Sequence, residues 1–229
     1  MSNPLVIAID GPAGAGKSTV ARKLAERLGL SYVDSGATYR AAALCVLEAK
    51  VPPEDESAVG NLISSAAIEF KADGPGSQVV LNGKNVTDEI RTPEVTLVAA
   101  TVSRLPEVRK KLTGLQRSLA RGPGVVMEGR DIGTVVFPDA PLKIFLKADP
   151  EERARRRLRD DEKRGRKATL QQTAYDIGRR DQLDAERKIS PLVPAADAFE
   201  IDSTDLSADE VVARILKLAE EKNLVGGRS

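Results

Sequence analysis

Leu5-Val6-Ile7-Ala8-Ile9-Asp10 runs straight into Gly11-Pro12-Ala13-Gly14-Ala15-Gly16-Lys17-Ser18-Thr19, an apolar stretch followed by a complete G-x-x-x-x-G-K-[ST] run. The pairing predicts a β-strand ending at Asp10, a glycine-rich bend, and a helix opening at about Lys17. Glycines let successive backbone N–H groups converge on one concavity, and the helix turns its positive dipole end toward the same point. Residues Gly11 to Thr19 therefore form a cradle that a nucleoside triphosphate would fit. Lys17 offers a mobile charge to the β- and γ-phosphates, and Ser18 a hydroxyl to a bridging Mg²⁺.

Composition narrows the chemistry. The 229 residues suffice for one sizeable core, or one core with an inserted subdomain, but not for two ordinary domains. Lys and Arg number 35 against 34 Asp and Glu, so no global polyelectrolyte signal points to nucleic acid or membrane, and any anion site is built locally. A single cysteine, Cys45, excludes an internal disulfide and every multi-thiolate zinc site. Histidine is absent, which removes Ser-His-Asp triads and imidazole bases. Catalysis must rest on Lys, Arg, Asp, Ser and metal. No apolar run is long enough for a membrane span, and the start of the chain lacks the features of a signal peptide, so a cytoplasmic protein is expected.

Alternating strand and helix signals continue to the end. Val20, Leu24 and Leu28 form the core stripe of a helix closing at Gly29. A strand over Leu30 to Asp34 and a helix over Tyr39 to Ala49 follow, then Pro52-Pro53 and a helix facing inward with Val59, Leu62, Ile63 and Ala66. Short β-type runs at Ile68 to Phe70, Val79 to Leu81 and Val86 are separated by Asp73-Gly74-Pro75-Gly76 and Asn82-Gly83. Hairpins do not belong in a parallel βαβ array, so about 68–90 reads as the antiparallel part of an insertion. Thr92-Pro93 opens a helix and Pro106 another, running to about Arg121. Val125 to Met127, ending in Glu128, and Leu142 to Leu146 suit buried parallel strands. Asp149-Pro150-Glu151-Glu152 opens a helix; another spans about Thr169 to Lys188. A strand near Ala198 to Ile201 precedes a helix opened by the capping box Ser207-x-x-Glu210. The predicted fold is α/β: a five-stranded parallel sheet with helices on both faces, in three layers. Its ligands sit at the carboxyl ends of the strands, where the cradle, Asp34-Ser35-Gly36 and Glu128-Gly129-Arg130-Asp131 are gathered.

Phosphoryl transfer needs alignment and cations rather than covalent help, and arginine grips phosphate through a planar fork. Arg40 and Arg130 stand in strand-end or loop positions, while Arg180, Asp184 and Arg187 share one face of the late helix at i, i+4 and i+7. Spacing alone also allows a solvated salt-bridge ladder there. Glu151 to Lys188 holds 13 Lys or Arg against 9 Asp or Glu. Ordinary i,i+4 pairs account for Arg155 and Arg156 but leave Arg153 and Arg157 over, and Asp160 to Ala168 reads as a mobile lid tip. A GTPase is disfavoured, since there is no N-K-x-D and the sole D-x-x-G, Asp73 to Gly76, falls in a hairpin turn. The residues themselves leave open a kinase for CMP, UMP, AMP or a non-nucleotide metabolite. A non-catalytic ATP- or RNA-binding module fits the balanced charge and scarce aromatics poorly.

Four stretches resemble the signatures of the bacterial cytidylate kinases in order and spacing: Gly11 to Thr19, Asp34 to Arg40, Gly129 to Ala140 and Ser190 to Asp197. The Gly129 to Ala140 block is the most specific of them. The resemblance implies a single P-loop nucleoside monophosphate kinase domain over 1–229, with an inserted acceptor-binding subdomain at about 60–104 and a lid at about 150–168. It implies phosphate transfer from ATP to CMP or dCMP with Mg²⁺ held by Ser18, in a monomer that engages neither nucleic acid nor membrane. Ser35, Arg40 and Arg130 then match acceptor-phosphate contacts, Arg109 and Asp131 cytosine contacts, Arg180 and Asp184 sugar contacts, and Arg187 a further nucleotide contact. Lys17, Arg130, Arg153 and Arg157 are the cations expected around the moving group. Where the family carries a base-contacting serine on the helix after Thr92, this chain has Ala100 and then Thr101, which implies weaker cytosine selectivity.

Overall fold

The computed structural model describes residues 4–73, 76–120, 122–163 and 165–226. The chain divides into two compact units, one of Met1–Ser31 with Pro123–Ser229 and the other Tyr32–Gly122. Strands β1 (Leu5–Asp10), β2 (Ser31–Asp34), β6 (Gly124–Gly129), β7 (Leu142–Lys147) and β8 (Phe199–Asp202) form one sheet in the order β2-β6-β1-β7-β8. β1 pairs in parallel with β6 and β7, and β7 in parallel with β8. The two central strands are apolar and buried up to their carboxyl ends, with Val6, Ile7 and Ala8 paired to Val125, Val126 and Met127. A strand covered on both sides has no polar face to alternate with.

From β1 the chain moves one way across the sheet through α1 (Lys17–Leu28), and from β7 it moves the other way through α6 (Pro150–Lys163) and α7 (Leu170–Ala185). Right-handed crossovers in opposite directions put these helices on opposite faces, and the reversal occurs at β1. The phosphate loop therefore stands at the switch point of the sheet. α8 (Ala208–Glu221), with its Ser207/Glu210 capping box intact, packs against α1.

The other unit holds α2 (Ser35–Glu48), α3 (Glu56–Ser65), the antiparallel strands β3 (Ile68–Asp73), β4 (Gly76–Leu81) and β5 (Lys84–Asn85), then α4 (Pro93–Val102) and α5 (Pro106–Ser118). Its core gathers Ala41, Val46, Ile63, Ile90, Val102 and Leu112. Gly74 and Pro75 of the expected hairpin turn, and Arg121 at the expected end of α5, lie outside the described residues.

The helix expected to run to about Arg121 stops at Ser118, and three further expected boundaries move for a polar reason. α2 begins at Ser35 rather than Tyr39, because the Asp34 side chain accepts from the Ala37 N–H at 3.3 Å and starts the helix a turn sooner. α6 runs on to Lys163 through residues expected to form a loose tip; Gly165 and Arg166 donate back to the carbonyls of Glu162 and Asp161 and close it. α7 stops at Ala185, short of Lys188, where the Leu192 N–H returns to the Asp184 carbonyl at 2.9 Å.

Gly124 opens β6 at φ +139°, and a Cβ there would lie 2.1 Å from the Leu5 carbonyl oxygen. Gly124→Ala is expected to cost roughly 3 kcal/mol or more, through combined clash and backbone strain. A urea melt with less than about 1 kcal/mol of loss would contradict this packing.

Candidate active site

The apolar run of β1 ends in a charge. Asp10 is 5% exposed, and its two carboxylate oxygens accept from the backbone N–H groups of Ile132 at 2.8 Å and Gly133 at 2.7 Å. This fastens the single wide helical turn Ile132–Val136, and Asp131 just before it, to the end of β1. Burial pushes the Asp10 carboxyl up to about 6, against the pull of those two N–H donors.

Lys17 opens α1 almost completely buried, its ammonium donating to the Pro12 carbonyl at 2.7 Å. Desolvation first, then the nearby positive charges of Arg130 and Arg180, pull its pKa down to about 7; Glu128 and Asp10 act in the opposite direction. The Ser18 hydroxyl donates to Glu128 Oε1 at 2.5 Å. A hydroxyl beside one carboxylate suits Mg²⁺, which keeps several waters and takes most of its remaining oxygens from phosphates. Among the described residues no group of three or more acidic, His or Cys side chains could hold a metal alone.

In the same unit, Asp184 is buried at 3% exposure and accepts from Arg130 Nε at 2.9 Å and, on its other oxygen, from Arg187. The expected trio on the late helix is thus only partly a helix face, since Arg187 lies past the end of α7 and reaches back. Sequence spacing missed Arg130 as the second partner. Asp131 is buried, and Arg180 is half-buried near enough to Lys17 to depress it. On α6, Arg157 pairs with Asp161 at 3.0 Å, while Arg153 is turned into the phosphate loop. Arg156, read as half of a surface pair with Glu152, also donates to the Ser203 hydroxyl at 3.0 Å, and that hydroxyl donates to the Ala15 carbonyl at 3.1 Å.

In the other unit, the carboxylate of Asp34 that caps α2 also holds Arg40 at 2.6 Å. Burial works against the Asp34 carboxylate, but Arg40, with Arg91 beyond it, keeps its pKa below the usual range. Ser35 is buried one residue on. Arg109 is buried on α5, donates to the Ser103 carbonyl at 3.0 Å and lies 5.4 Å from the centre of the Tyr39 ring. Ala100 and Thr101 are both half-buried on α4, and the Ala100 carbonyl accepts from the Ser103 hydroxyl at 3.1 Å.

A parallel sheet whose central strand turns into a phosphate loop with a buried lysine and an exposed serine, with arginines fixed by carboxylates, defines a P-loop phosphotransferase. A family model described as cytidylate kinase matches residues 7–221. Cytidylate kinases of Geobacillus sp. (strain WCH70) and Carboxydothermus hydrogenoformans are 49% and 48% identical, over 97% and 95% of this chain and 99% and 98% of their own. The chain belongs to the cytidylate kinase family. Among solved structures, an uncharacterized protein from Eubacterium ventriosum shares the fold at a TM-score of 0.51 and 14% identity, over 94% of this chain and 98% of its own.

Lys17 makes a test of the buried charge. Its folded pKa of about 7 lies below the unfolded value of 10.5, so between them the unfolded chain holds a proton the folded one lacks, and stability rises with pH across that window. Lys17→Met is expected to be more stable than the parent at pH 6.5, with the difference shrinking by pH 9, in urea melts at about those two values. A difference that does not change between them would show that the ammonium is not buried at a cost.

Proposed function

We propose that the protein transfers the γ-phosphoryl group of ATP to CMP or dCMP, giving ADP and CDP or dCDP, in the cytoplasm and as a monomer. Family membership across 7–221 is the observation that carries this reading. The donor polyphosphate lies in Gly11 to Thr19, with Lys17 against its β- and γ-phosphates. Mg²⁺, held through Ser18, would neutralise the bridging oxygens.

Ser35, Arg40 and Arg130 bind the acceptor phosphate. Arg109 and Asp131 read cytosine: a carboxylate accepts from the exocyclic amine and a guanidinium donates to the ring nitrogen and carbonyl, a pattern uracil does not offer. Arg180 and Asp184 bind the sugar, and Arg187 makes a further contact. Lys17, Arg130, Arg153 and Arg157 surround the moving phosphoryl group. Residues of about 60–104 form the acceptor subdomain, and about 150–168 the lid that excludes water.

No general base is needed, because the acceptor phosphate is already an anion near neutral pH. What the chain supplies is prior alignment. Asp34 fixes Arg40, and Asp184 fixes Arg130 through Nε, which leaves part of that guanidinium fork for phosphate. Lys17 accepts its full charge when phosphate enters, so binding above pH 7 takes up a proton.

Release of ADP with CMP, dCMP, UMP and AMP as acceptors tests the assignment. CMP and dCMP are expected to lead; equal rates with all four would remove Arg109 and Asp131 from base reading. Lys17→Ala is expected to lower the CMP rate by roughly 10³-fold or more, and residual activity near the parent's would defeat the mechanism.

A further inference from the structure

Asp181 lies outside every contact so far attributed to either nucleotide. It sits on α7 next to Arg180, 17% exposed at its side chain, and both its oxygens are engaged at the tip of the phosphate loop. Oδ1 accepts from the Ala13 N–H at 3.0 Å, and Oδ2 accepts from Nη1 of Arg153. The same Nη1 donates to the Ala13 carbonyl at 3.1 Å, and Arg153 Nε donates to the Ala148 carbonyl at 3.1 Å. Both polar groups of the Ala13 backbone are thereby taken by one carboxylate–guanidinium pair.

Gly14 supplies an independent observation of the same junction. At φ +76°, a Cβ on it would meet the Arg153 carbonyl oxygen at 2.7 Å and the Arg153 Cβ at 3.0 Å. The loop tip is laid directly on the first turn of α6, too close for any side chain. The Asp181 carboxylate reaches Ala13 across 168 residues of sequence and Arg153 across 28, so it ties the loop to α6 and α7.

We propose that Asp181 is a positioning residue for phosphoryl transfer: it clamps the Ala13 peptide and Arg153 together, so that the loop tip and the start of the lid helix hold one geometry. Nε and Nη1 of Arg153 are spent on the clamp, and Nη2 makes no hydrogen bond among the described residues. The clamp thus aims one edge of the guanidinium while immobilising the rest. A misalignment near 1 Å at such a point acts on the transition state far more than on the bound ground state. The proposal rests on the ATP-to-CMP reading of the site.

Asp181→Asn keeps an acceptor for the Ala13 N–H but removes the charge that holds Arg153. It is expected to lower kcat about 10- to 100-fold while the KM for CMP stays within about twofold and ATP binding weakens only about threefold. Arg153→Met should lose a similar factor, and the double variant no more than the larger single loss, because both break one unit. A kcat equal to the parent's, or losses that multiply in the double variant, would overturn the clamp. Loss of thermal stability with normal turnover in the folded fraction would overturn it too, since that is what a purely structural ion pair gives. Should Asp181→Asn not fold, Asp181→Glu displaces the carboxylate by about 1 Å, and the same split between kcat and KM decides. A parent chain that made no ADP with CMP would defeat the functional reading instead. The clamp is then judged by calorimetric ATP affinity, weakened about threefold in Asp181→Asn if it holds and unchanged if it does not.

Discussion

A lysine ammonium buried at the end of a parallel sheet, with a peptide carbonyl as its hydrogen-bond acceptor among the described residues, is the constraint around which this chain is built. Cations must be concentrated to receive phosphate, yet before phosphate arrives they repel one another in a place with little water. The chain answers with carboxylates. Arg40 is held by Asp34, Arg130 by Asp184 and Arg153 by Asp181, each through a side chain that is buried or half-buried. Each aspartate offsets part of the charge it holds and, more usefully, removes rotamer freedom from a long side chain that must otherwise be ordered when ligand binds. The balance of 35 basic against 34 acidic residues looks like the absence of an anion site; in part it is the sum of cations and their holders.

The cradle itself was readable because everything that defines it is local. Strand, glycines, lysine and serine are contiguous, and the helix starts at Thr92-Pro93, Asp149-Pro150 and Ser207-x-x-Glu210 are each set within a single turn. Boundaries that depend on a returning chain were not readable in the same way. α7 ends where Leu192 comes back to Asp184, and nothing in the spacing of Arg180, Asp184 and Arg187 announces that. The start of α2 is hidden for a different reason: Asp34-Ser35-Gly36 resembles a turn, and the capping bond turns it into the first residues of a helix.

Two residues of the site escaped sequence reasoning altogether. Asp10 did carry a signal, as the one charged residue closing an otherwise apolar strand next to the phosphate loop, where a buried carboxylate requires partners. Asp181 carried none. In sequence it is one acid among nine in a strongly charged stretch, and its partners Ala13 and Arg153 lie 168 and 28 residues away. Long-range polar pairs of this sort follow from topology, since they require that the loop after β1 and the start of α6 meet above the same strand ends.

Asp10 and Lys17 together bear on when the unliganded protein is least comfortable. The Asp10 carboxyl, raised to about 6 from an unfolded value of 3.8, keeps a proton that the unfolded chain has lost, so its contribution to stability declines as pH climbs through that interval. The Lys17 ammonium, lowered to about 7 from 10.5, is disfavoured most below its folded value and stops costing stability as pH rises toward 10.5. Between about 6 and 7 both groups carry charge in a setting that resists it. On the proposed function, incoming phosphate would stabilise the ammonium, and the ammonium so held lies near the carboxylate and lowers its cost in turn. Binding energy is therefore largest where the empty site is most strained, which is the arrangement expected when a site is shaped for a charged ligand rather than for the stability of the folded chain.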